Sequence, residues 1–349
     1  FNRVTGAASA TDLTINGSAS FDTKKIYEID TTTATAYTVV KFYRDYLVNA
    51  NGWTTPSNIN SVRYLVVGGG GGGGGGWNGG GGGAGGYRET NTTLRANTVY
   101  NIEIGPGGLG ALYTFSPTTG GGSTIRNNSV SSESITANGG GSGGTEQNVV
   151  GGAITGATPG GSGGGGVHAG GVTPGSGNSG GFNPVEGYAG GTGASLAGVY
   201  AGGGGGGAGG VGGDATASTN GVPGNGGTGV TTYITGNAIS LAGGGAGSGR
   251  FAPSVTYAKH GTATHGGGSG SCADPCTGND TGTAGTKNTG GGGGAGAAAV
   301  SGGAMGGSGG SGFIVIKYIT NKPTIITQPV SDTSTVGAEE KVLWNALLG

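Results

Sequence analysis

The chain has 349 residues, of which 95 are glycine, and its 15 basic and 16 acidic residues give a net charge of −1. With no cluster of Lys and Arg, the sequence lacks the footprint of a nucleic-acid-binding protein, and no apolar run approaches the ~18 residues of a membrane-spanning helix. Glycine is far above the ~7% of ordinary globular chains. Near-neutral charge together with 13 Tyr, 7 Phe and 3 Trp is not typical of disorder, so we predict an ordered glycine-rich structure.

Residues 1–61 are predicted to form a small N-terminal β-rich module. Segments such as Lys25–Ile29 and Tyr37–Tyr43 are rich in β-branched and aromatic residues, which favour strands. Glycine is scarce here compared with the rest of the chain.

Residues 62–318 are predicted to form a glycine-rich domain bracketed by strands. Apolar stretches at Val62–Val67 and Phe313–Tyr318 look like buried strands, and 90 of the 95 glycines lie between them in residues 68–312. Shorter strand-like pieces at Val99–Ile104 and Ser123–Arg126 interrupt the glycine-rich body.

Such a body has few side chains to bury, so another interaction must offset the backbone entropy lost on folding. We expect a bundle of polyglycine II helices, in which extended left-handed helices pair laterally through their backbone N–H and C=O groups. The predicted fold class is therefore mainly β and irregular, with a polyglycine II helical bundle between the strands. A β-solenoid would need a more regular repeat than this sequence has.

Residues 319–349 are predicted to be an extended C-terminal segment. Prolines flank a short β-branched stretch, which suits an edge strand or a linker. Thr324, Ile325, Ile326 and Thr327 are the candidates for a strand that pairs with another subunit.

The glycine-rich region resembles the glycine-rich domains of bacteriophage tail-fibre adhesins and related bacterial surface proteins. In tip adhesins of that kind, loops at the distal end of the glycine body bind the host receptor. The resemblance therefore implies an extracellular, cell-surface or virion location, and it transfers no receptor-binding residue. It covers residues 62–318 and is carried by an ordered series of motifs: VRYLVVGGGGGGGGG at Val62–Gly76, GGGGGAGG at Gly79–Gly86, IEIGPGG at Ile102–Gly108, GGSTI at Gly121–Ile125, ITANGGGSGG at Ile135–Gly144, AGGGGGGAGG at Ala201–Gly210 and GGSGGSGFIVIKY at Gly306–Tyr318.

The two cysteines, Cys272 and Cys276, are predicted to form a local disulfide, as suits a secreted protein. The alternative is a zinc site made with His260 and His265, because two His and two Cys suit zinc in kind although the spacing is irregular. No cofactor is predicted, since GxGxxG matches carry no information at this glycine content.

The best candidate for a recognition loop lies between Arg250 and Thr277. Phe251 and Tyr257 lie just before its histidines, His260 and His265. Aromatic side chains on loops dominate recognition surfaces. The simpler interpretation is that the aromatic residues of the glycine body cover its ends. Besides Phe251 and Tyr257, the aromatic residues of the glycine body are Trp77, Tyr87, Tyr113, Phe115, Phe182, Tyr188 and Tyr200.

Three functions are compatible with this sequence. The first is an extracellular structural protein, the protomer of a self-assembling surface filament or fibre with adhesive loops. The second is a tail-fibre tip adhesin that binds a cell-surface glycan or protein receptor. The third is ice binding, which should show a regular Gly-X-X repeat that this sequence lacks. The three histidines and scattered carboxylates form no catalytic motif, so we do not expect an enzyme.

Overall fold

The computed structural model describes most of the glycine-rich region and a smaller part of the two termini. The described residues are 14–15, 37–44, 52–112, 115–127, 129–146, 154–168, 173–196, 199–216, 222–250, 260–273, 281–297 and 304–319.

A β-sandwich forms one end of the molecule. Its first sheet has the order β2 (Tyr37–Tyr43), β17 (Phe313–Ile319), β4 (Ser61–Val67) and β5 (Tyr87–Thr93), and all its neighbours are antiparallel. The second sheet has the order β1 (Thr14–Ile15), β3 (Trp53–Thr54), β6 (Val99–Glu103), β7 (Ser123–Asn127) and β8 (Ile135–Ala137). A 3₁₀ turn at Ser131–Glu133 joins the last two strands.

The central strands of the first sheet are buried on both faces where they meet the glycine body, which explains their apolar runs at Tyr64–Val67 and Phe313–Ile316. On one face, residues such as Tyr64 and Ile316 pack against Trp53 and Ile125 of the second sheet. On the other face lies the hairpin of β13 (Val230–Thr232) and β14 (Ile239–Leu241). Residues that include Leu65 share a second core with this hairpin.

The glycine body continues from this sheet along the strand direction. Residues 68–76 follow β4 and donate hydrogen bonds to three neighbouring segments. The N–H groups that bond to any one segment are three residues apart, with N···O distances of 2.8 to 3.0 Å. The donor–acceptor pairs are Gly68, Gly71 and Gly74 with Gly86, Gly83 and Gly80; Gly69 and Gly72 with Gly121 and Thr118; and Gly70 and Gly73 with Gly310 and Gly307.

The predicted bundle of polyglycine II helices is wrong as a description of this fold. In the part of the chain that the structure describes, short strands alternate with irregular segments, no α-helix occurs, and Ser131–Glu133 is a single 3₁₀ turn. The reason is that, beyond the run Gly68–Gly76, glycine stretches are broken after a few residues by Ala, Ser, Thr or Pro. Many of these segments then end in strands of two or three residues.

Small two- and four-stranded sheets close the other end of the glycine body. β9 (Thr145–Glu146) pairs with β10 (Ile154–Thr155). A four-stranded sheet has the order β11 (Ala194–Leu196), β12 (Val199–Ala201), β15 (Gly249–Arg250) and β16 (Cys272–Ala273).

The boundaries of the glycine-rich domain, placed after residues 61 and 318, remain predictions. Within the predicted N-terminal module, Tyr37–Tyr43 forms β2 and pairs along its whole length with β17. The predicted inter-subunit residues Thr324, Ile325, Ile326 and Thr327 lie outside the described residues.

Replacing Gly71 by Ala tests whether close backbone approach holds the glycine body together. A Cβ atom on Gly71 would lie 2.1 Å from the carbonyl oxygen of Gly141, whereas one on Gly122 would meet nothing nearer than 3.2 Å. We expect Gly71→Ala to lower the free energy of unfolding by about 3 kcal/mol, the upper end for overpacking. Gly122→Ala should change it by less than about 1 kcal/mol. Urea unfolding of both variants measures this, and equal effects would contradict the argument.

Candidate functional site

We use the term far end for the end of the glycine body opposite the β-sandwich. Residues 68–76 span at most about 30 Å when extended. At their end, the N–H of Gly76 donates to the carbonyl oxygen of Ala304 at 3.1 Å, and Gly76 forms a bridge with Glu146. A buried Ser248 hydroxyl joins the neighbouring segments, because it accepts the Gly79 N–H at 2.8 Å and donates to the Gly296 carbonyl oxygen at 2.8 Å.

Five exposed apolar residues, the apolar turn cluster, lie on adjacent segments at the far end. They are Leu109, Leu112, Phe115, Ile154 and Met305, with Leu109 65% and Phe115 67% exposed. Large apolar side chains at such exposure, grouped on neighbouring turns, are typical of an interaction surface.

Hydrogen bonds fix the relative positions of four of these residues, Leu112, Phe115, Met305 and Ile154. Leu112 and Phe115 exchange two backbone hydrogen bonds, at 3.1 and 3.0 Å. Ala111 next to Leu112 accepts the N–H of Gly306, which places Met305 alongside. The hydroxyl groups of Ser116 and Thr155, 3.3 Å apart, bring the segment of Ile154 to the same turn.

A second feature of the far end is the His168 cluster, which consists of Asn78, Glu146, His168 and Tyr200. His168 Nδ1 lies 2.5 Å from Asn78 Oδ1 and 3.4 Å from Glu146 Oε2, and both oxygens are acceptors. Nδ1 therefore carries the proton and donates. The Tyr200 ring meets the imidazole edge-on, with 4.6 Å between ring centroids. The cluster ties together four chain segments that are distant in sequence.

The structure separates the two histidines that were predicted to share a loop site with the cysteines. Cys272 is buried in β16 and pairs with Gly249, so it belongs to the four-stranded sheet at the far end. His260 is exposed, with Nδ1 3.3 Å from the Gly261 carbonyl oxygen. His265 lies at the opposite end of its segment, with a positive φ of 52°, and its Cβ lies beside Gly229, the residue that precedes β13.

The remaining predicted site residues are only partly within the described ranges. Arg250 ends β15, next to Tyr200 in the sheet register, which puts the start of the predicted recognition loop at the far end. Phe251, Tyr257 and Cys276 lie outside the described residues, so the recognition loop and the disulfide stay predictions. Among the described residues, no three His, Cys, Asp or Glu side chains are grouped closely enough to hold a metal ion.

Sequence reasoning found Phe115 but missed its apolar neighbours and a buried carboxylate. Leu109 and Met305 are single large apolar residues in glycine-rich stretches, and that isolation was the available signal, whereas Leu112 lies in a short apolar stretch with Tyr113. A side chain that stands alone between glycines has no neighbours in sequence to pack with.

The missed carboxylate belongs to Glu186, at the junction between the sandwich and the glycine body. Its side chain is fully buried. Oε2 accepts the Asn138 backbone N–H at 3.0 Å, and Oε1 accepts Asn138 Nδ2 at 2.8 Å. Its own carbonyl oxygen accepts the Tyr87 N–H at 2.8 Å. Burial raises the pKa of the Glu186 carboxyl, and the two bonds from Asn138 and the charge of Arg88 oppose that rise.

The chain belongs to a family of glycine-rich domains. The family model, described as a glycine-rich domain, matches residues 48–319, which is most of the chain. A comparison with curated proteins found no match. In the described part of the chain, no helix has the length and apolar character to cross a membrane.

The raised pKa of Glu186 predicts a pH dependence of stability. Because the folded state holds this proton more tightly than the unfolded state, its contribution to stability falls as pH rises from below the ordinary glutamate pKa to above the raised one. Glu186→Gln removes the titration, so its stability relative to the wild type should be higher at pH 7 than at pH 4. Urea unfolding at both pH values measures this difference.

Glu103→Gln, which alters an exposed carboxyl on β6, is the control. In Glu186→Gln, the amide NH₂ group also faces one of the two Asn138 N–H donors, and this contact lowers the free energy of unfolding. That loss of stability is the same at both pH values. A stability difference between wild type and Glu186→Gln that does not change with pH would contradict the prediction.

Proposed function

We propose that this chain is an extracellular structural and adhesive protein whose far end contacts a cell-surface glycan or protein receptor. The observation that carries the proposal is the apolar turn cluster, five exposed apolar side chains on neighbouring segments that hydrogen bonds hold in place. The likeness of the glycine-rich motifs to those of tail-fibre adhesins adds support.

The physical argument is preorganisation. A flexible loop loses conformational entropy when it binds, whereas side chains carried on ordered turns lose less. Leu112 and Phe115 are joined by two backbone hydrogen bonds, and the adjacent Ala111 N–H donates to the Gly73 carbonyl oxygen in the glycine body. A partner that covers these side chains gains the free energy of apolar burial at a reduced entropic cost.

Binding by variants of the apolar turn cluster tests this proposal. We expect Leu112→Ser with Phe115→Ser to weaken binding about tenfold or more, as is typical of hot-spot residues. The matched control is Tyr233→Ser, which alters an aromatic residue of equal exposure, 68%, next to β13 at the sandwich end. The measurement uses fluorescently labelled protein on a panel of bacterial cells and on a glycan array. Equal losses in both variants, or none in the double variant, would contradict the proposal.

A filament protomer and a tip adhesin share this surface and differ in self-assembly. Negative-stain electron microscopy of the native protein before and after dilution distinguishes them. For a filament protomer we expect long uniform fibres that persist on dilution. Discrete particles or short spikes would exclude the filament and favour the tip adhesin.

A further inference from the structure

The edge strand β5 of the sandwich has one side without a strand partner in the described part of the chain. β5 is the last strand of its sheet and pairs with β4 alone. Residues 90, 91 and 93 are exposed and residues 89 and 92 are half-buried, so the C-terminal part of the strand is open to solvent.

Two hydrogen bonds show which backbone groups of β5 face outward. The Leu94 N–H donates to the Asn60 carbonyl oxygen on the β4 side, at 3.0 Å, and the Tyr87 N–H donates away from β4 to Glu186, at 2.8 Å. Because backbone groups alternate sides along a strand, Glu89, Asn91 and Thr93 present their N–H and C=O groups away from the sheet.

This edge lacks the usual protection against strand pairing. Proteins blunt exposed edges with Pro, Lys, bulges or covering loops. β5 contains neither Pro nor Lys, and its pairing with β4 is continuous over seven residues. Its one acidic side chain, Glu89, faces the hairpin side and is paired with Arg63 at 2.8 Å. A cavity of about 330 Å³ runs beside residues 90–93, between β5 and residues 132–135, and leaves room for side chains of an added strand.

We propose that β5 pairs with β5 of a second copy of this chain, antiparallel and about a two-fold axis at Asn91. This register sets Asn91 opposite Asn91, Glu89 opposite Thr93, and Thr90 opposite Thr92. The outward-facing groups of Glu89, Asn91 and Thr93 then satisfy one another across the axis. No like charges face each other, and opposed threonines favour cross-strand pairing, so the strand is complementary to itself.

The pairing goes beyond the proposed function, because it uses the sandwich and leaves the far end unoccupied. It joins two four-stranded sheets into one sheet of eight strands, an isologous dimer with the same surface on both subunits. Its failure would leave the adhesive proposal untouched, since receptor binding is measured at the apolar turn cluster.

Cysteine cross-linking tests the register directly. Residues that share hydrogen bonds across an antiparallel pair have Cα atoms about 5.5 Å apart, within disulfide range. We expect Asn91→Cys to give a disulfide-linked dimer on non-reducing gels after mild oxidation. Thr93→Cys, equally exposed on the same strand but opposite Glu89, should stay monomeric on the gel, as should the wild type with its native cysteines. Dimers from both variants, or from neither, would overturn the proposal.

A second measurement covers the case in which a cysteine variant is poorly folded. Asn91→Pro removes an outward-facing N–H that bonds to nothing in the described part of the subunit, while Asn91→Ala keeps it. Size-exclusion chromatography with light scattering should show a dimer for the wild type and Asn91→Ala, and a monomer for Asn91→Pro. A wild type that is monomeric, or a dimer that survives Asn91→Pro, would also overturn the proposal.

Discussion

The whole glycine body depends on backbone hydrogen bonds between segments that lie too close together for side chains. A Cβ atom on Gly71 would lie only 2.1 Å from the carbonyl oxygen of Gly141. Most glycines of the interior have a neighbouring backbone atom equally close. Each interior segment is therefore both donor and acceptor to several others. Satisfying buried N–H and C=O groups replaces the apolar packing that organises an ordinary core.

The β-sandwich supplies what the glycine body lacks. Its two apolar cores anchor the segments where they begin and end, since β4 leads into Gly68 and β17 receives the chain after Gly312. Glu186 and Asn138 join the two parts through a buried carboxylate. At the other end, the Ser248 hydroxyl and the His168 cluster close the body with polar contacts. Hydrogen bonds thus connect the sandwich to the far end of the glycine body.

The local sequence pattern predicted where these strands form, but it did not show which strands pair with one another. Tyr37–Tyr43, Val62–Val67, Val99–Ile104 and the stretch ending at Tyr318 are apolar or β-branched, and the structure has strands there. Nothing in those residues shows that β2 pairs with β17 or that β13 and β14 cover the sheet, because such contacts join residues far apart in sequence. Of the apolar turn cluster, only Phe115 was found from the sequence, because its members come together through the folding of three separate segments. The bundle of regular helices was overpredicted from glycine content alone.

The position of β17 has a consequence for how the protein is made. β17 is the last described strand in the chain, yet it lies in the middle of its sheet, between β2 and β4. β2 and β4 thus lack the strand that lies between them until residue 319 has been synthesised. Long-range pairing of this kind is slow to form. The chain therefore completes this sheet only after all the glycine segments between β4 and β17 have been made.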